Sequence, residues 1–300
     1  MISVVIPHFN QPEHLVRCLE SLINRPTPEL DVEIIVVDNN STTPPAREVA
    51  KFPSVQLIVE TTPGPGPARN AGVQESRGDI LAFIDADCVA GADWIRSIEE
   101  NVNAKAILGG DVRILHKDPA RPTIWEAYES EYAFRMEHYI RKKGFTGTGN
   151  LAMRRDVFDA VGPFAGIGVA EDRDWGRRAG AKGFSITWAP TMLVFHPARD
   201  SFAELARKWD RHIAHDFQVQ LDHSFGRFRW AALCIMMVFS PLGEAARIVM
   251  SDRIKGGPRG RLLAFLGLLR TRLYRAWRMS QLIFEKDASR LADRWREETD

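Results

Sequence analysis

Two acidic residues stand where an apolar run of the chain ends. The segment LAFIDADCVAG at residues 81–91 places Asp85 and Asp87 one residue apart. On an extended backbone such residues point to the same side, so their carboxylates repel each other unless a cation neutralises them. Hard oxygen ligands favour Mg²⁺ or Mn²⁺, and Mg²⁺ typically binds one or two carboxylates together with substrate phosphates. The alternative is a solvated strand end whose acid caps a helix.

Asp38 and Arg69 are two further groups that could hold part of a nucleotide. Asp38 ends the apolar run VEIIVVD, and its carboxylate could accept hydrogen bonds from a ribose hydroxyl or a base N–H. The alternative for Asp38 is a turn-forming aspartate. Arg69 follows the Gly/Pro loop TPGPGP at residues 62–67, and such a loop lets the backbone approach a phosphate with which an arginine can pair. The segment lacks the Lys-Ser/Thr of a P-loop, so it does not specify a nucleotide by itself.

An acidic cluster lies later in the chain, where GVAEDRDWGRRAGAKGF spans residues 168–184. Glu171, Asp172 and Asp174 would occupy the first turn of a helix that ends in basic residues. The helix dipole favours acidic residues at its start and basic residues at its end. The alternative is that one of these acids is a general base placed near a metal–phosphate centre. The residues of the cluster leave both interpretations open.

Two more segments carry groups capable of binding or catalysis. His196, in LVFHPARD, follows an apolar run and is either a metal ligand or a histidine at a strand end. The segment FTGTGNLAMRR at residues 145–155 is a Gly-rich loop with Asn150 and two arginines. It could line a pocket for an acceptor or a phosphate.

Alternating strands and helices must position these groups. Apolar runs predict strands at 2–7, 32–38, 55–60 and 79–87. The predicted helices are 12–24, 44–51, 68–76 and a further one around 122–143, and the last third of the chain reads as mostly helical. Continuous apolar strands separated by helices predict an α/β fold with a mainly parallel sheet covered on both faces. The loops after strands one, two and four should then meet in one crevice at the sheet edge, where such sheets bind ligands.

The composition is that of a globular protein, and the charge is unevenly distributed. The 300 residues are 45% hydrophobic and 26% charged, which excludes a disordered or disulfide-stapled chain. The three cysteines form no CxxC pair, so a reducing compartment is expected. The net charge of +1 hides a net of −5 over residues 1–200 and +6 over residues 201–300, which predicts different partners for the two parts.

The order of the motifs resembles that of a known family. VVIPHFN, VVDNNST, GPARNAG, FIDADC, GTGNLAMRRDVFDAVGPF, AEDRDWGRR and FHP resemble the motifs of glycosyltransferase family 2, the inverting GT-A nucleotide-sugar transferases. The resemblance covers about residues 1–200 and specifies neither a donor nor an acceptor. It implies a GT-A Rossmann-like fold, with a mainly parallel sheet flanked by helices and a C-terminal helical region.

The resemblance also implies roles for individual residues. It implies a nucleotide-sugar site formed by Pro7, His8, Phe9, Asn10, Asp38, Arg69, Asp85, Ala86, Asp87, Gly149 and Asn150. Asp85 would hold the ribose, and Asp87 would hold Mn²⁺ or Mg²⁺ at the diphosphate with His196 completing the metal shell. Asp172 would be the general base, with Glu171 as its neighbour or substitute. His8 stands where many relatives carry an aromatic residue, which leaves the identity of the nucleotide base open.

The implied activity is metal-dependent, inverting transfer of a sugar from a nucleotide-diphosphate sugar to a hydroxyl of a glycan or lipid-linked acceptor. Cell-envelope polysaccharide or glycolipid synthesis is the implied setting. One alternative is a catalytically silent homologue that binds nucleotide sugars. The other is a DxD phosphatase, in which the first aspartate is the nucleophile but whose DxD strand is expected near the N-terminus.

The C-terminal part predicts contact with a membrane. Residues 225–278 carry a net charge of +9, and the uncharged run from Trp230 to Gly243 is shorter than the roughly 20 residues of a spanning helix. Residues 259–284 have apolar and arginine faces at helical spacing, which suits an anionic membrane surface, whereas the alternative is a helix packed on the catalytic domain. Nucleic-acid binding is not expected, because no recognised motif is present.

These patterns divide the chain into two predicted domains. Residues 1–200 would form the catalytic domain, with a nucleotide-binding half at 1–104 and an acceptor half at 105–200. Residues 201–300 would form a helical, basic region. The expected location is the cytoplasm, peripheral on the inner face of the cell membrane.

Overall fold

The structure is a computed structural model of the chain, and it describes residues 1–24, 30–102, 106–167, 170–221 and 226–283. Its strands are β1 (Ile2–His8), β2 (Val32–Asp38), β3 (Val55–Val59), β4 (Ile80–Ile84), β5 (Val89–Ala90), β6 (Ala106–Leu115), β7 (Asn150–Arg154) and β8 (Ser185–Pro197). Its helices are α1 (Pro12–Ile23), α2 (Ala46–Val49), α3 (Pro65–Glu75), α4 (Trp94–Asn101), α5 (Ile124–Tyr132), α6 (Met136–Lys143), α7 (Arg155–Val161), α8 (Glu171–Ala181), α9 (Phe202–Leu221), α10 (Gly226–Met250) and α11 (Gly257–Leu282).

The described strands form one sheet in the order β3-β2-β1-β4-β7-β6-β8-β5. Strands β3, β2, β1 and β4 are parallel neighbours, so their carboxyl ends share one edge of the sheet. Strand β7 runs antiparallel to β4 and to β6, whereas β6 and β8 are parallel. The fold is therefore α/β with the predicted parallel half, joined to a second half of mixed direction.

Apolar burial explains why these segments are strands and helices. The centres of β1, β2 and β4 are buried, as expected for strands covered on both faces. Helix α3 packs against β1 and β2, and Gly72 allows this approach because a Cβ there would clash with Val5. Helix α1 buries one face, which includes Leu15, Leu19 and Leu22. Burial of these apolar side chains stabilises a continuous core beneath the loops that follow the strands.

Two helices differ from the sequence-based prediction. Helix α3 begins at Pro65, inside the segment predicted to be a loop, because proline at the first helical position needs no hydrogen bond for its missing N–H. The predicted helix around 122–143 is two helices, α5 and α6. The backbone leaves the helical conformation between them at Arg135, whose φ is −108° and ψ is 57°.

The chain divides into two compact units. The first unit contains Met1–Leu115 and Arg135–Pro197, with the whole sheet. The second contains His116–Phe134 and Ala198–Asp300, with helices α5, α9, α10 and α11. The sequence predicts a domain boundary at residue 200, whereas in the structure residues 116–134 also belong to the unit of the C-terminal helices. The reason is a shared core, in which Trp125 and Tyr128 pack with apolar residues of the later helices.

Glu33 joins β1, β2 and the turn before β4 at the opposite edge of the sheet. Its carboxylate accepts hydrogen bonds from Ser3 Oγ (2.6 Å), the backbone N–H groups of Arg77 (2.5 Å) and Gly78 (3.2 Å), and Arg77 Nε (3.1 Å). Burial alone would raise the pKa of Glu33. The hydrogen bonds from Ser3 and Arg77 outweigh that effect and hold the pKa below its usual value of 4.5.

Replacing Glu33 should therefore destabilise the first unit in a pH-dependent way. A lowered folded-state pKa adds stability above the unfolded pKa, and this stability is lost as the pH falls through the folded value. We expect Glu33→Gln to lower the free energy of unfolding by about 1–3 kcal/mol at pH 7. The difference from the wild type should shrink well below pH 4.5. Urea unfolding followed by circular dichroism measures both values.

The exposed Glu20, in α1, supplies the matched control. Glu20→Gln should leave the free energy of unfolding within about 0.5 kcal/mol of the wild type at both pH values. An equal loss in the Glu33 and Glu20 variants would show that the carboxylate of Glu33 has no special role.

Candidate functional site

The polar ends of β1, β2 and β4 lie side by side, as the sequence predicts. His8 at the end of β1 is in register with Asp38 at the end of β2, and β4 is the other neighbour of β1. Asp85 directly follows β4. The sheet edge therefore gathers the three candidate segments in one place.

His8 and Asp38 form a buried pair below the loops. The side chain of each is at most 1% exposed. The N–H of Gln11 donates to His8 Nε2 (3.2 Å), so the ring proton is on Nδ1, which donates to Asp38 Oδ1 (2.9 Å). Asp38 Oδ2 accepts from the N–H of Ser41 (3.3 Å). The pair joins the ends of two strands, and its direct contact with a nucleotide stays a prediction.

The loops after β1 and β2 are cross-linked by side chains. The N–H of Asn10 donates to Ser41 Oγ (2.8 Å), and Asn10 Oδ1 accepts from the N–H of Thr42 (2.9 Å). Asn10 and Asn40 have positive φ angles of 52° and 63°, a conformation that asparagine tolerates better than most residues. Phe9, by contrast, is 57% exposed. The two loops thus form a fixed rim with an aromatic ring at the surface.

A buried arginine connects β4 to α8. Arg69 is 3% exposed, and its NH2 group donates to Asp85 Oδ1 at 2.6 Å. Its NH1 group donates to Glu171 Oε1 at 3.3 Å. The sequence predicts that Arg69 pairs with a phosphate of a nucleotide. The structure shows it between two predicted site carboxylates, and these charge-assisted bonds fix the side chains of both.

Asp85 and Asp87 do not share one side of an extended strand. The N–H of Cys88 donates to the carbonyl of Asp85 (3.0 Å), which closes a turn directly after β4. Because the backbone turns, Asp85 faces Arg69 whereas Asp87 faces His196. The predicted repulsion between the two carboxylates is therefore wrong in its geometry, and each carboxylate has a different cationic partner.

Asp87 and His196 form a second pair. Asp87 Oδ2 lies 3.1 Å from His196 Nε2, and the side chains are 21% and 24% exposed. Burial would raise the pKa of Asp87, but the hydrogen bond and charge of His196 outweigh it and hold that pKa below its usual range. Burial would lower the pKa of His196, but Asp87 outweighs it and raises that pKa. The ring Nδ1 lies 2.6 Å from the carbonyl of Pro197.

The residues of this pair suit a divalent cation. Among the described residues, no group of three or more His, Cys, Asp or Glu side chains could hold a metal. Two ligands nevertheless suffice where substrate phosphates supply the others, as is usual for Mg²⁺. A carboxylate and an imidazole also suit Mn²⁺, and an Nδ1–H bonded to the Pro197 carbonyl would orient Nε2 toward the metal. Asp87 and His196 therefore fit the predicted metal site.

Gly149 and Asn150 have different environments although they are adjacent. A Cβ on Gly149 would clash with Asp85 Oδ2, so only glycine lets this loop lie against that carboxylate. Asn150 is 1% exposed. Its Nδ2 donates to the carbonyls of Asp111 and Met192 (2.8 Å each), and its Oδ1 accepts from Trp94 Nε1 (2.8 Å).

This environment corrects the role predicted for Asn150. The family resemblance implies that Asn150 is part of the nucleotide-sugar site. Its side-chain amide instead bonds protein partners, the carbonyls of Asp111 in β6 and Met192 in β8. Asn150 thus holds the sheet together. Of the remaining predicted site residues, Pro7 in β1 is half-buried. Ala86, in the turn between Asp85 and Asp87, is buried.

The first turn of α8 carries the acidic cluster. Asp172 Oδ1 accepts a hydrogen bond from the N–H of Arg173 (2.7 Å), and the side chain is partly exposed. Asp174 turns away to Arg178 Nε (2.8 Å), and this bond holds the pKa of Asp174 below its usual value. Gly168 and Val169, which precede the cluster in the predicted motif, lie outside the described residues.

Sequence reasoning missed one site residue and misplaced another. Thr148 is 5% exposed, and its hydroxyl donates to Glu171 Oε1 at 3.4 Å. The only available signal was its place in the GTGN loop. Arg155 was expected in a pocket, but its guanidinium donates to the carbonyls of Val73, Ser76 and Gly78. It therefore binds the C-terminal end of α3 instead of a ligand.

Comparison with known proteins agrees with this architecture. A model of the family described as Glycosyl transferase family 2 matches residues 3–162, more than half of the chain. The glycosyltransferase AglE of Haloferax volcanii is 33% identical over 251 residues, which are 80% of this chain and 81% of the relative. Polypeptide N-acetylgalactosaminyltransferase 10 of Rattus norvegicus is 27% identical over 182 residues, which are 58% of this chain but 30% of the relative.

Solved structures share the fold. The mannosyltransferase PcManGT of Pyrobaculum calidifontis, in complex with GDP-Man and Mn²⁺, superposes with a TM-score of 0.55 at 17% identity. The match covers 95% of this chain and 88% of the other. GalNAc-T7 with UDP, GalNAc and Mn²⁺ gives a TM-score of 0.52 at 18% identity, over 66% of this chain and 44% of the other. Both are GT-A structural neighbours, so the fold implied by the sequence motifs is confirmed.

The contact between Gly149 and Asp85 generates a prediction about stability. In Gly149→Ala the new methyl group must displace the carboxylate of Asp85, which weakens its bond to Arg69. We expect the free energy of unfolding to fall by about 1–3 kcal/mol. Gly147→Ala is the control in the same loop, because a Cβ there meets nothing nearer than Met136 Cε at 3.4 Å. Chemical denaturation of both variants tests this, and an equal effect would contradict it.

Proposed function

Because the chain belongs to glycosyl transferase family 2, and is a glycosyltransferase, we propose that it moves a sugar from a nucleotide-diphosphate sugar to an acceptor hydroxyl with inversion at the anomeric carbon. One observation carries this proposal. The turn after β4 presents Asp85 to the Arg69–Glu171 cluster and Asp87 to His196. A ribose-binding group and a metal-binding group are thereby separated, yet they lie within three residues of the chain.

The donor site would be the rim formed by the loops after β1, β2 and β4. The exposed ring of Phe9 offers a face for a nucleobase, and the carboxylate of Asp85, which Arg69 orients, offers an acceptor for ribose hydroxyls. Gly149 packs directly against that carboxylate and would line the same side of the donor site. Complexes of the two structural neighbours with UDP and with GDP-Man support a nucleoside diphosphate as the common part of the donor.

A divalent cation, Mn²⁺ or Mg²⁺, would be held by Asp87 and His196. When bound, such an ion supplies positive charge that stabilises the diphosphate as a leaving group. The Mn²⁺ in both structural neighbours supports the choice of metal without deciding between the two ions. The protein would orient the His196 ligand, since its Nδ1 contacts the carbonyl of Pro197.

The transfer step needs one base and one leaving group. The acceptor oxygen forms a bond to C1 of the sugar while the bond from C1 to the diphosphate oxygen breaks on the opposite face. The proton of the acceptor hydroxyl passes to a carboxylate, and the diphosphate leaves with the electron pair. No covalent intermediate with the protein is required, so the anomeric centre inverts.

Asp172 is the better candidate for the base. One oxygen of Glu171 already accepts from Arg69 and from Thr148, which makes it less available to accept a proton. The carboxylate of Asp172 is partly exposed in the first turn of α8, and its one described partner is a backbone N–H of its own helix. Glu171 would act as the neighbour that positions Arg69.

Two alternatives make different predictions. A silent homologue would bind the donor without transfer, and it would not need a base at Asp172. A DxD phosphatase would use Asp85 as its nucleophile, but Asp85 Oδ1 is engaged by Arg69, and the family match supports the transferase.

A glycan or lipid-linked acceptor in cell-envelope polysaccharide or glycolipid synthesis completes the proposal. Peripheral attachment to an anionic membrane on its cytoplasmic side would bring such an acceptor to the enzyme. The excess of basic residues in the C-terminal part of the chain supports this location, because anionic lipids attract lysine and arginine.

Donor binding should depend on the metal through Asp87. In a thermal-shift screen of UDP-, GDP- and dTDP-sugars with Mn²⁺, we expect one base class to raise the Tm. A ligand at about 100 times its Kd stabilises a protein by about 2.7 kcal/mol. Asp87→Ala should abolish the Mn²⁺-dependent part of the shift because it removes the carboxylate ligand.

The exposed Asp93 provides the control for this screen, and Asp93→Ala should retain the full shift. A Tm that no nucleotide sugar raises would refute the proposed activity. An unchanged metal dependence in Asp87→Ala would refute only the assignment of Asp87.

Donor binding and transfer should be separable at Asp172. Asp172→Asn should retain the donor-induced shift in Tm but lose about 10²–10⁴-fold in kcat, because the amide cannot accept the proton. Transfer is measured with a hydroxyl acceptor, and NMR of the product gives the anomeric configuration. Glu171→Gln should instead weaken donor binding, because Arg69 loses an ionic partner.

Near-normal turnover of Asp172→Asn together with inactive Glu171→Gln of normal donor affinity would move the base to Glu171. A product with retained configuration would contradict the direct displacement.

A further inference from the structure

We propose that helix α10 lies in the plane of an anionic membrane, with its outward face in the hydrocarbon, and that it does not span the bilayer. This inference rests on the membrane association proposed above and names the element responsible. The sequence pointed instead to the arginine-rich segment at 259–284, most of which forms α11. We assign that role to α10 because its exposed face carries more large apolar side chains. The apolar residues that α11 exposes, Leu262, Leu266, Leu273 and Trp277, are interspersed with the exposed Arg259 and Arg270.

The outward face of α10 is apolar along its length. The large exposed side chains are Phe228 (77%), Ile235 (62%), Met236 (58%), Val238 (38%), Phe239 (64%), Leu242 (74%), Val249 (64%) and Met250 (77%). A helix of 25 residues is about 37 Å long, so this surface is far more extended than a scatter of single apolar residues. Surfaces of this kind on soluble domains mark contacts with lipid or with another protein.

The charged residues of α10 beyond its first turn belong to the packed side. Glu244 contacts Arg272 of α11 at 3.3 Å, and Arg247 contacts Glu131 at 3.1 Å. Both side chains are half-buried. Their ion pairs lie within the second unit, so immersion of the opposite face would desolvate no charge of this helix between Trp230 and Met250.

By length and composition alone, α10 could cross a membrane, and it is the one described helix that meets this test. Its partner excludes that arrangement. Helix α11 packs along α10 and contains six arginines, at 259, 261, 270, 272, 275 and 278. A spanning α10 would carry several of them into hydrocarbon, at about 2.5–3.5 kcal/mol each near the centre. One-sided immersion to about 5–10 Å avoids this cost.

Basic residues at both ends of α10 select an anionic surface. Arg227 and Arg229 are exposed in its first turn, and Lys255 and Arg259 are exposed just beyond its last turn. Each cation near an anionic leaflet contributes about 1 kcal/mol. The apolar face would therefore enter the bilayer while the cations at its ends contact lipid phosphates.

The same charges disfavour a second copy of the chain as the occupant. A two-fold contact through the α10 face would bring the basic ends of one helix against those of the other, in antiparallel as in parallel arrangement. The C-terminal segment 284–300 is also a poor cover for this face, since ten of its seventeen residues are charged. Lipid is the occupant that matches both the apolar face and the flanking cations.

Spin labels can test both the contact and its geometry. Phe228, Phe239 and Met250 are spaced by eleven residues, which is close to three helical turns, so they share one face. Each is replaced by cysteine in the full chain carrying Cys234→Ser, since Cys18 and Cys88 are buried. The labels are measured by electron paramagnetic resonance, with oxygen and a polar nickel chelate as collision reagents. The vesicles are phosphatidylcholine with and without phosphatidylglycerol.

An in-plane helix predicts similar immersion depths for all three labels, on vesicles that contain phosphatidylglycerol. A label at Val59→Cys, a 61% exposed apolar position in β3 of the first unit, should stay in water. A deep label at 239 between shallow labels at 228 and 250 would show a spanning helix and overturn the proposal. Labels that are protected without vesicles, in a chain that sediments as a dimer, would identify a second copy and also overturn it.

A triple variant tests the affinity. Ile235→Glu/Phe239→Glu/Leu242→Glu should weaken flotation with phosphatidylglycerol vesicles by at least about tenfold, whereas the matched Val59→Glu should change it by less than about twofold. The donor-induced Tm shift in solution should persist in the triple variant, which separates failure of the membrane proposal from failure of the enzymatic one. Unchanged flotation of the triple variant, or no flotation of the intact protein, would overturn the assignment of α10.

Discussion

The candidate site of this glycosyltransferase depends on one buried guanidinium, that of Arg69. Arg69 lies in α3, yet it fixes Asp85 after β4 and Glu171 at the start of α8, residues far apart in the chain. Without that cation, two carboxylates would face each other in a partly desolvated place and would repel. The position of α3 is in turn set by its close approach to β1 and β2 at Gly72. The packing of α3 on the sheet therefore determines where Arg69 lies, and Arg69 in turn orients Asp85 and Glu171 at the sheet edge.

The turn after β4 is the second determinant of the site. It separates the two aspartates, so that one belongs to the arginine cluster and the other to His196 at the end of β8. Because β8 pairs with β6 in the mixed half of the sheet, the proposed metal pair joins elements from both halves. The parallel half supplies the proposed nucleotide-binding rim, whereas the other half supplies the histidine.

The two units of the chain differ in what they bury and what they expose. The first unit buries polar groups and satisfies them, as Asn150, Arg155 and Glu33 illustrate. The second leaves a long apolar face of α10 exposed, while Glu244 and Arg247 of that helix form ion pairs within the unit. In water such a face has an unfavourable free energy, and a lipid surface removes that penalty. The proposed attachment of the second unit would hold an enzyme of this family where lipid-linked acceptors occur.

The sequence alone determined the strand–helix alternation, the convergence of the strand ends and the family, because apolar periodicity and motif order are local properties. It could not determine which groups meet. A turn separates the side chains of Asp85 and Asp87. Pairing between distant segments brings the amide of Asn150 to carbonyls of neighbouring strands and the hydroxyl of Thr148 to Glu171. Nor could the sequence determine which apolar side chains stay exposed, because burial depends on packing partners. Arg275 and Arg278 of α11 contact Trp209 and Asp210 of α9, whereas a long apolar face of α10 stays exposed.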